Sequence, residues 1–163
     1  MTTPSDTQLF KETDQLSAWR LFLRTYRRVL DQLEVELQEQ RGLSLAWYDV
    51  LIQLYRSPEH RLRMNDLAGS VLLSKSGLTR LIDRMEKAGL VERASCPSDR
   101  RGSFAVLTPR GEEVFKEAAP AHLEGVARHF TDHLTADEAG KMVDAFERIL
   151  EAHTQSVKPK ISP

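Results

Sequence analysis

Cysteine is almost absent from this 163-residue chain: Cys96 is the single one, so neither an intramolecular disulfide nor a multi-cysteine metal site can form. Aromatic residues make up only 7%. No apolar run approaches the ~20 residues that a membrane span needs. The opening MTTPSDTQLFKE has neither the basic start nor the apolar stretch of a secretory signal, so a cytoplasmic, non-membrane protein is expected. The sequence has no glycine-rich phosphate loop, nucleophile elbow, HExxH or paired Ser/His/Asp arrangement, so neither an enzyme nor a bound cofactor is expected. Net charge is close to balance at −1.

The balance conceals a pattern. Residues 1–55 carry 6 Lys/Arg against 8 Asp/Glu, residues 56–110 carry 11 against 6, and residues 111–163 carry 6 against 10. The middle is therefore net +5 between flanks of −2 and −4. A basic centre between acidic flanks fits a protein that meets a polyanion with one face. Chance clustering of solvated charge is the plainer reading of the same numbers.

Apolar periodicity divides the chain. Leu16, Trp19, Leu23, Tyr26, Leu30, Leu33 and Leu37 recur in alternating steps of three and four, the heptad seam of a helix that Gly42 ends. Leu21, Phe22 and Val29 add more apolar surface than one partner element would cover, which predicts packing into the chain's own domain and into a second subunit. Ser44 can cap a second helix over Leu45 to Tyr55, stopped by Ser57-Pro58. Residues 61–64 alternate like a short strand, and Asn65-Asp66 offer a cap for a helix through Leu67 and Val71. Ser74 offers the next cap, with Leu78, Leu81, Ile82 and Met85 forming one apolar face up to Gly89. Two short helices joined by a tight turn make a helix-turn-helix.

Residues 90–95 and 103–107 read as strands around the turn formers of residues 97–102, a hairpin wing with Arg100 and Arg101 at its tip. Thr108 and Pro109 open a helix expected to reach Leu134, with Pro120 a place for a kink. Thr135 and Glu138 form a capping box before a last helix carrying Met142, Val143, Phe146, Ile149 and Leu150. The expected fold is mainly α with a small β wing: a winged helix-turn-helix with N- and C-terminal dimerisation helices. Residues 1–12 are expected as a flexible N-terminus, 13–42 and 109–153 as the dimerisation region, 43–108 as the DNA-binding region, and 154–163 as a flexible tail.

With its apolar face turned inward, the second helix of the motif presents Lys75, Ser76, Thr79, Arg80 and Asp83, and Arg84 beyond them. Arginine and lysine donate to guanine acceptors in a major groove, and hydroxyls bind phosphates or bases. Ser74 and Ser76 sit at the helix N-terminus, where free N–H groups favour phosphate. A solvated amphipathic helix would show the same face. The wing weights the choice, because arginines at a hairpin tip suit a narrow minor groove. Asp99 either holds one of them or serves the turn.

These residues resemble the MarR family of winged-helix regulators. The resemblance runs through Leu67-Ala68, Ser74 to Glu86, Gly89 to Arg93, Asp99-Arg100-Arg101, Leu107-Thr108 and Gly111. It implies a homodimer on double-stranded DNA, bound to a pseudo-palindromic operator with recognition helices in successive major grooves and wings in flanking minor grooves. By that likeness Ser74, Lys75, Ser76, Thr79 and Arg80 face bases and phosphates, Arg101 enters the minor groove and Asp99 braces the wing; Arg84 and Arg100 are expected among the DNA-binding residues as well. It further implies a repressor released by a small aromatic or phenolic effector, with Trp19, Arg20, Tyr26, Trp47, Tyr48 and Asp49 as candidates near its cleft. Trp19 and Tyr26 also lie on the heptad seam, where a core role accounts for them.

Other readings stand beside this one. Cys96, with Arg93 and Arg100 nearby in sequence, could form a redox switch or simply a small hairpin residue. His122, His129 and His133 are expected on one helix face, where the i,i+4 spacing of the last pair could hold zinc or the three could form a polar interface patch; without a completing donor set no metal site is assigned. A winged helix of this kind could also serve non-specific architectural binding or protein contact.

Overall fold

The computed structural model describes residues 13–71, 75–96 and 99–154. The chain forms two compact units, Met1–Gly125 and Val126–Pro163.

In the first unit, α1 (Asp14–Arg41) starts at Thr13, whose hydroxyl accepts from Leu16 N, and stops at Gly42 with φ 62. That left-handed conformation costs glycine nothing. Helix α2 (Leu45–Arg56) starts at Ser44, whose Oγ accepts from Trp47 N at 3.3 Å. The Glu34 carboxylate reaches over from α1 and accepts from Leu45 N at 2.7 Å. A second helix thus lends a negative charge to the N-terminus of α2, where free donors and the dipole favour it.

A short 3-10 turn (Pro58–His60) leads into β1 (Arg61–Arg63), then α3 (Met64–Ser70) and α4 (Lys75–Lys87). The hairpin follows as β2 (Val91–Cys96) and β3 (Asp99–Leu107), completing an antiparallel sheet of order β1-β3-β2. Helix α5 (Pro109–His129) begins at Thr108, whose hydroxyl accepts from Gly111 N at 3.0 Å and donates to Gly89 O at 2.7 Å.

The core of this unit gathers Tyr48, Val50, Leu51 and Leu54 of α2, Leu67 of α3, Leu78, Leu81, Ile82 and Met85 of α4, and Val91 and Ala105 of the sheet. The spacing of apolar residues on α2 and α4 selects these positions. The winged helix-turn-helix expected from the pattern is the observed architecture.

Some boundaries differ from the sequence reading. Helix α3 starts at Met64 with Arg63 as its cap and no side-chain cap bond. Asn65 and Asp66 lie inside its first turn, because β1 pairs with β3 up to Arg63 and the helix begins at the next residue. The wing strands reach further than residues 90–95 and 103–107, to Cys96 and Asp99, with a register irregularity at Ser95/Cys96. Such a bulge absorbs an extra residue while pairing continues. Helix α5 passes through Pro120 but ends at His129, short of Leu134. Phe130, at φ −141 and ψ −64, leaves the helical region.

In the second unit a 3-10 turn (Thr131–His133) follows, and α6 (Ala136–Thr154) begins at the expected capping box. Glu138 Oε2 accepts from Thr135 N at 2.9 Å, and Thr135 Oγ1 accepts from Glu138 N at 3.3 Å. The Thr135 N–H and the Thr135 hydroxyl, which donates to the same Oε2 at 2.7 Å, hold the Glu138 carboxyl below its ordinary range.

A run of rings links α2 to α5. His122 lies 4.2 Å from Tyr48, Tyr48 5.5 Å from Phe115, Phe115 4.7 Å from Tyr55, and Tyr55 5.4 Å from His60, centroid to centroid. His122 Nδ1 is buried without a hydrogen-bond partner among the described residues, and burial holds its pKa below the ordinary value.

The unfolded chain therefore takes up a proton at this histidine near pH ~6.5 while the folded chain does not, so stability falls as pH drops through that value toward the lower folded one. The expected result is that His122→Phe, which keeps a ring against Tyr48, flattens the loss of Tm between pH 7 and pH 5. Parallel Tm curves for parent and variant would remove His122 as the source.

Candidate nucleic-acid interface

Helix α4 owes its orientation to four side chains. Leu78, Leu81, Ile82 and Met85 are at most 3% exposed, which pins the opposite face outward. Ser76, Thr79, Arg80 and Arg84 are on that exposed side. Lys75 is the first residue of the helix, and Ser74 lies outside the described residues. Thus Ser76, Thr79, Arg80 and Arg84 share one helix surface, with basic side chains of opposite sign to phosphate.

The wing follows directly. Asp99, Arg100 and Arg101 begin β3, so the backbone carries them at the far end of the hairpin from Val91 and Leu107. The intervening Pro97 and Ser98 lie outside the described residues. Cys96 ends β2 at the same far end, opposite Asp99.

What ties the wing to α4 is Arg93 on β2. Its Nη2 donates to Asp83 Oδ1 at 2.6 Å and to Thr79 O at 3.3 Å, and its backbone N donates to Glu86 Oε1 at 3.2 Å. The Glu86 carboxylate also lies 3.8 Å from Arg93 Nε. Asp83 therefore faces the sheet through this ion pair and is engaged in holding the helix. A planar guanidinium with donors on two edges suits bridging a carboxylate and a carbonyl at once. Half-exposed ion pairs add little stability, so the consequence is geometric: Arg93 fixes where β2 lies against the exposed side of α4.

The effector candidates divide into separate groups. Trp19 and Tyr26 flank Phe22 along α1, with ring centroids 6.0 Å and 6.2 Å apart, and all three are exposed, as is Arg20. Tyr48 is buried, 2% exposed, between the rings of Phe115 and His122. Burial raises the Tyr48 hydroxyl above its ordinary value, against a smaller lowering by Arg56. Trp47 is half-buried at the start of α2. Asp49 is exposed as a whole residue, yet desolvation by the protein around its carboxyl, reinforced by Glu34, raises its pKa. The aromatic candidates on α1 and those on α2 thus belong to different surroundings.

The three histidines do not share a helix face. His122, half-buried against Tyr48, and His129 both belong to α5, while His133 lies beyond the break, its Nε2 3.0 Å from Arg128 O. The break at Phe130 removes the i,i+4 relation of His129 and His133. Among the described residues no group of three or more His, Cys, Asp or Glu is placed to hold a metal ion. No described helix is long and apolar enough to cross a membrane.

Comparison with known proteins agrees with this architecture. A family model described as the MarR family matches residues 41–102. YsmB of Bacillus subtilis, described as an uncharacterized HTH-type transcriptional regulator, is 32% identical over 113 residues, spanning 68% of this chain and 76% of that protein. Among solved structures, AbsC, a MarR family transcriptional regulator from Streptomyces coelicolor, is 42% identical with a TM-score of 0.80, covering 88% of this chain and 97% of that one. Sco3205, a MarR family regulator of the same organism solved in complex with DNA, is 31% identical with a TM-score of 0.75, covering 99% of this chain and 94% of that one. A helix-turn-helix whose second helix is locked to a hairpin wing, in a chain this similar to those regulators, places the protein in the MarR family.

Proposed function

We propose that this chain is a homodimeric, sequence-reading transcriptional regulator that binds an inverted repeat in duplex DNA. The observation that carries the reading is the exposed surface of α4 with Ser76, Thr79, Arg80 and Arg84, held by Arg93 in fixed relation to the wing. On a duplex, Lys75, Thr79 and Arg80 enter the major groove, Ser74 and Ser76 meet phosphates near the helix N-terminus, and Arg84 follows the backbone. Arg100 and Arg101 reach the adjacent minor groove, with Asp99 bracing them. The similar Sco3205 has been solved with DNA, and a protein 30% identical over 113 residues, YetL of Bacillus subtilis, is an HTH-type transcriptional repressor. Repression, relieved by a small aromatic or phenolic effector near Trp19, Arg20, Tyr26, Trp47, Tyr48 and Asp49, is the regulatory form of the proposal.

The test is selection of bound sequences from a random duplex library at near-physiological salt. The expected product is an inverted repeat with half-site centres about one helical turn, ~10 bp, apart. Arg80→Ala should relax base preference at one position in each half-site, at about 1–3 kcal/mol. Arg101→Ala should weaken binding of the selected repeat. Recovery of unselected sequences with equal affinity would replace this reading by non-specific architectural binding.

A further inference from the structure

The two faces of the three-stranded sheet differ in kind. On the inner face Val91, Ala105 and Leu107 are buried and Arg93 reaches α4. Strand pairing sets Arg61 opposite Val106 and Arg63 opposite Phe104, with Glu92 and Ala94 continuing the same face on β2. Opposed residues share a face and neighbours along a strand alternate. Arg61, Arg63 and Phe104 therefore stand together on the side away from the core.

The side chains meet there. Arg61 Cζ lies 5.2 Å and Arg63 Cζ 5.7 Å from the centroid of the Phe104 ring. Both arginines are exposed and Phe104 is half-buried. Stacking of a guanidinium on a ring uses its flat face and limits the wandering of a long side chain. Arg61 also pairs with Glu59 at 2.6 Å, which anchors it from the preceding turn. Two cations ordered side by side on an aromatic base form a preorganised receptor for an anion with more than one charged oxygen.

Position says which anion. Strand β3 runs unbroken from Asp99 to Leu107, so Phe104 stands three residues, ~10 Å, from Arg101 along the strand. A minor groove is only ~6 Å wide. A wing whose end lies in that groove brings the flank of its own sheet to the phosphates that border it. The stretch 56–110 that contains both elements is the net-positive part of the chain.

We propose that Arg61 and Arg63, stacked on Phe104, form a second phosphate-binding site that grips the DNA backbone outside the half-site, beside the minor groove the wing enters. The inference rests on the DNA-binding reading above and extends its footprint. Contacts of this type carry no base information. They add affinity and salt dependence and leave the preferred sequence unchanged.

The experiment is fluorescence anisotropy of the full chain with two duplexes of the selected repeat, one ending at the half-sites and one extended by 10 bp at each end. Affinity is read across 50–200 mM salt for the parent, Arg61→Gln/Arg63→Gln, Arg61→Lys/Arg63→Lys and Arg101→Ala. Each phosphate contact contributes about 0.9 to the slope of log affinity against log salt. Two contacts per protomer in a dimer are therefore expected to reduce the slope by ~3–4 in the glutamine variant on the long duplex. The lysine variant should retain the slope, and the parent should lose a similar amount on the short duplex.

An unchanged slope in a folded glutamine variant overturns the site. If that variant melts early, equal parent slopes on the long and short duplexes overturn it instead. Weakened binding by Arg101→Ala beside an unchanged glutamine variant overturns this inference alone. Absence of parent binding to either duplex overturns the DNA-binding reading together with it.

Discussion

Gly111→Ala is expected to destabilise the fold by about 3 kcal/mol, the upper end of the overpacking range. A Cβ at this position would lie 2.0 Å from Leu90 O and 2.8 Å from Leu107 Cδ1. The first of those atoms is backbone and is already in use, accepting from Thr108 N at 3.1 Å. Gly111 itself donates to the Thr108 hydroxyl, and that hydroxyl donates to Gly89 O. The turn after α4 and the start of α5 are thus in backbone contact at one point, and a methyl group can enter only by driving the two apart.

For a chain of this size the loss corresponds to a Tm lowered by roughly 6–12 °C. Gly140→Ala on α6 is the matched control, since nothing lies within 4 Å of its added Cβ. Replacing a helix-interior glycine by alanine should stabilise by about 0.5–1 kcal/mol. Thermal melts that place Gly111→Ala within 2 °C of the parent would show that the contact can relax.

Much of this fold is legible because its signals are local. Ser44, Thr108 and the Thr135/Glu138 box cap the helices that their sequence positions announce. The apolar spacing at 78, 81, 82 and 85 identifies the buried side of α4, and with it the exposed side. The rest depends on residues far apart in the chain. Arg93 looks like a solvated strand residue until β2 is laid beside α4 and its partners at 79, 83 and 86 come within reach. Arg61 and Phe104 meet only through the pairing of β1 with β3.

The end of α5 was hidden for a different reason. Val126, Phe130 and Leu134 continue a helical period, yet Thr135 as an N-cap must itself leave helical φ/ψ, and Leu134 before it is already extended at φ −120 and ψ 135. A cap signal competed with an apolar period, and the helix stops at His129.

Charge on the α1 seam is expected to abolish high-affinity operator binding without touching a DNA-facing residue. Of the heptad series, Leu33 and Leu37 are buried in the first unit, whereas Leu16, Trp19, Leu23 and Tyr26 are 40–56% exposed. Leu21 and Phe22 beside them are exposed as well. In the second unit Val143, Phe146, Ile149 and Leu150 of α6 are also exposed. Water rarely meets so long an apolar series on one helix as that of α1, and a heptad period is the pattern that another helix covers by interdigitation. In the proposed homodimer that covering comes from a second copy.

The parent should sediment as a dimer and show a Tm that rises with protein concentration, because association favours only the folded state. Leu23→Glu/Tyr26→Glu places like charges within the seam while leaving Leu33 and Leu37 intact. It should sediment as a monomer and keep the helical circular dichroism of α2 to α5. Its affinity for the inverted repeat should drop by about 10²–10⁴-fold, the gain that linking two modules ordinarily supplies. Affinity for a single half-site should change little, since α4, Arg93 and the wing are untouched. A variant that remains dimeric, or a parent that sediments as a monomer while still binding the repeat tightly, would move the dimer contact off α1. A monomer that loses half-site binding as well would instead mean that α1 supports the DNA-binding surface from within its own chain.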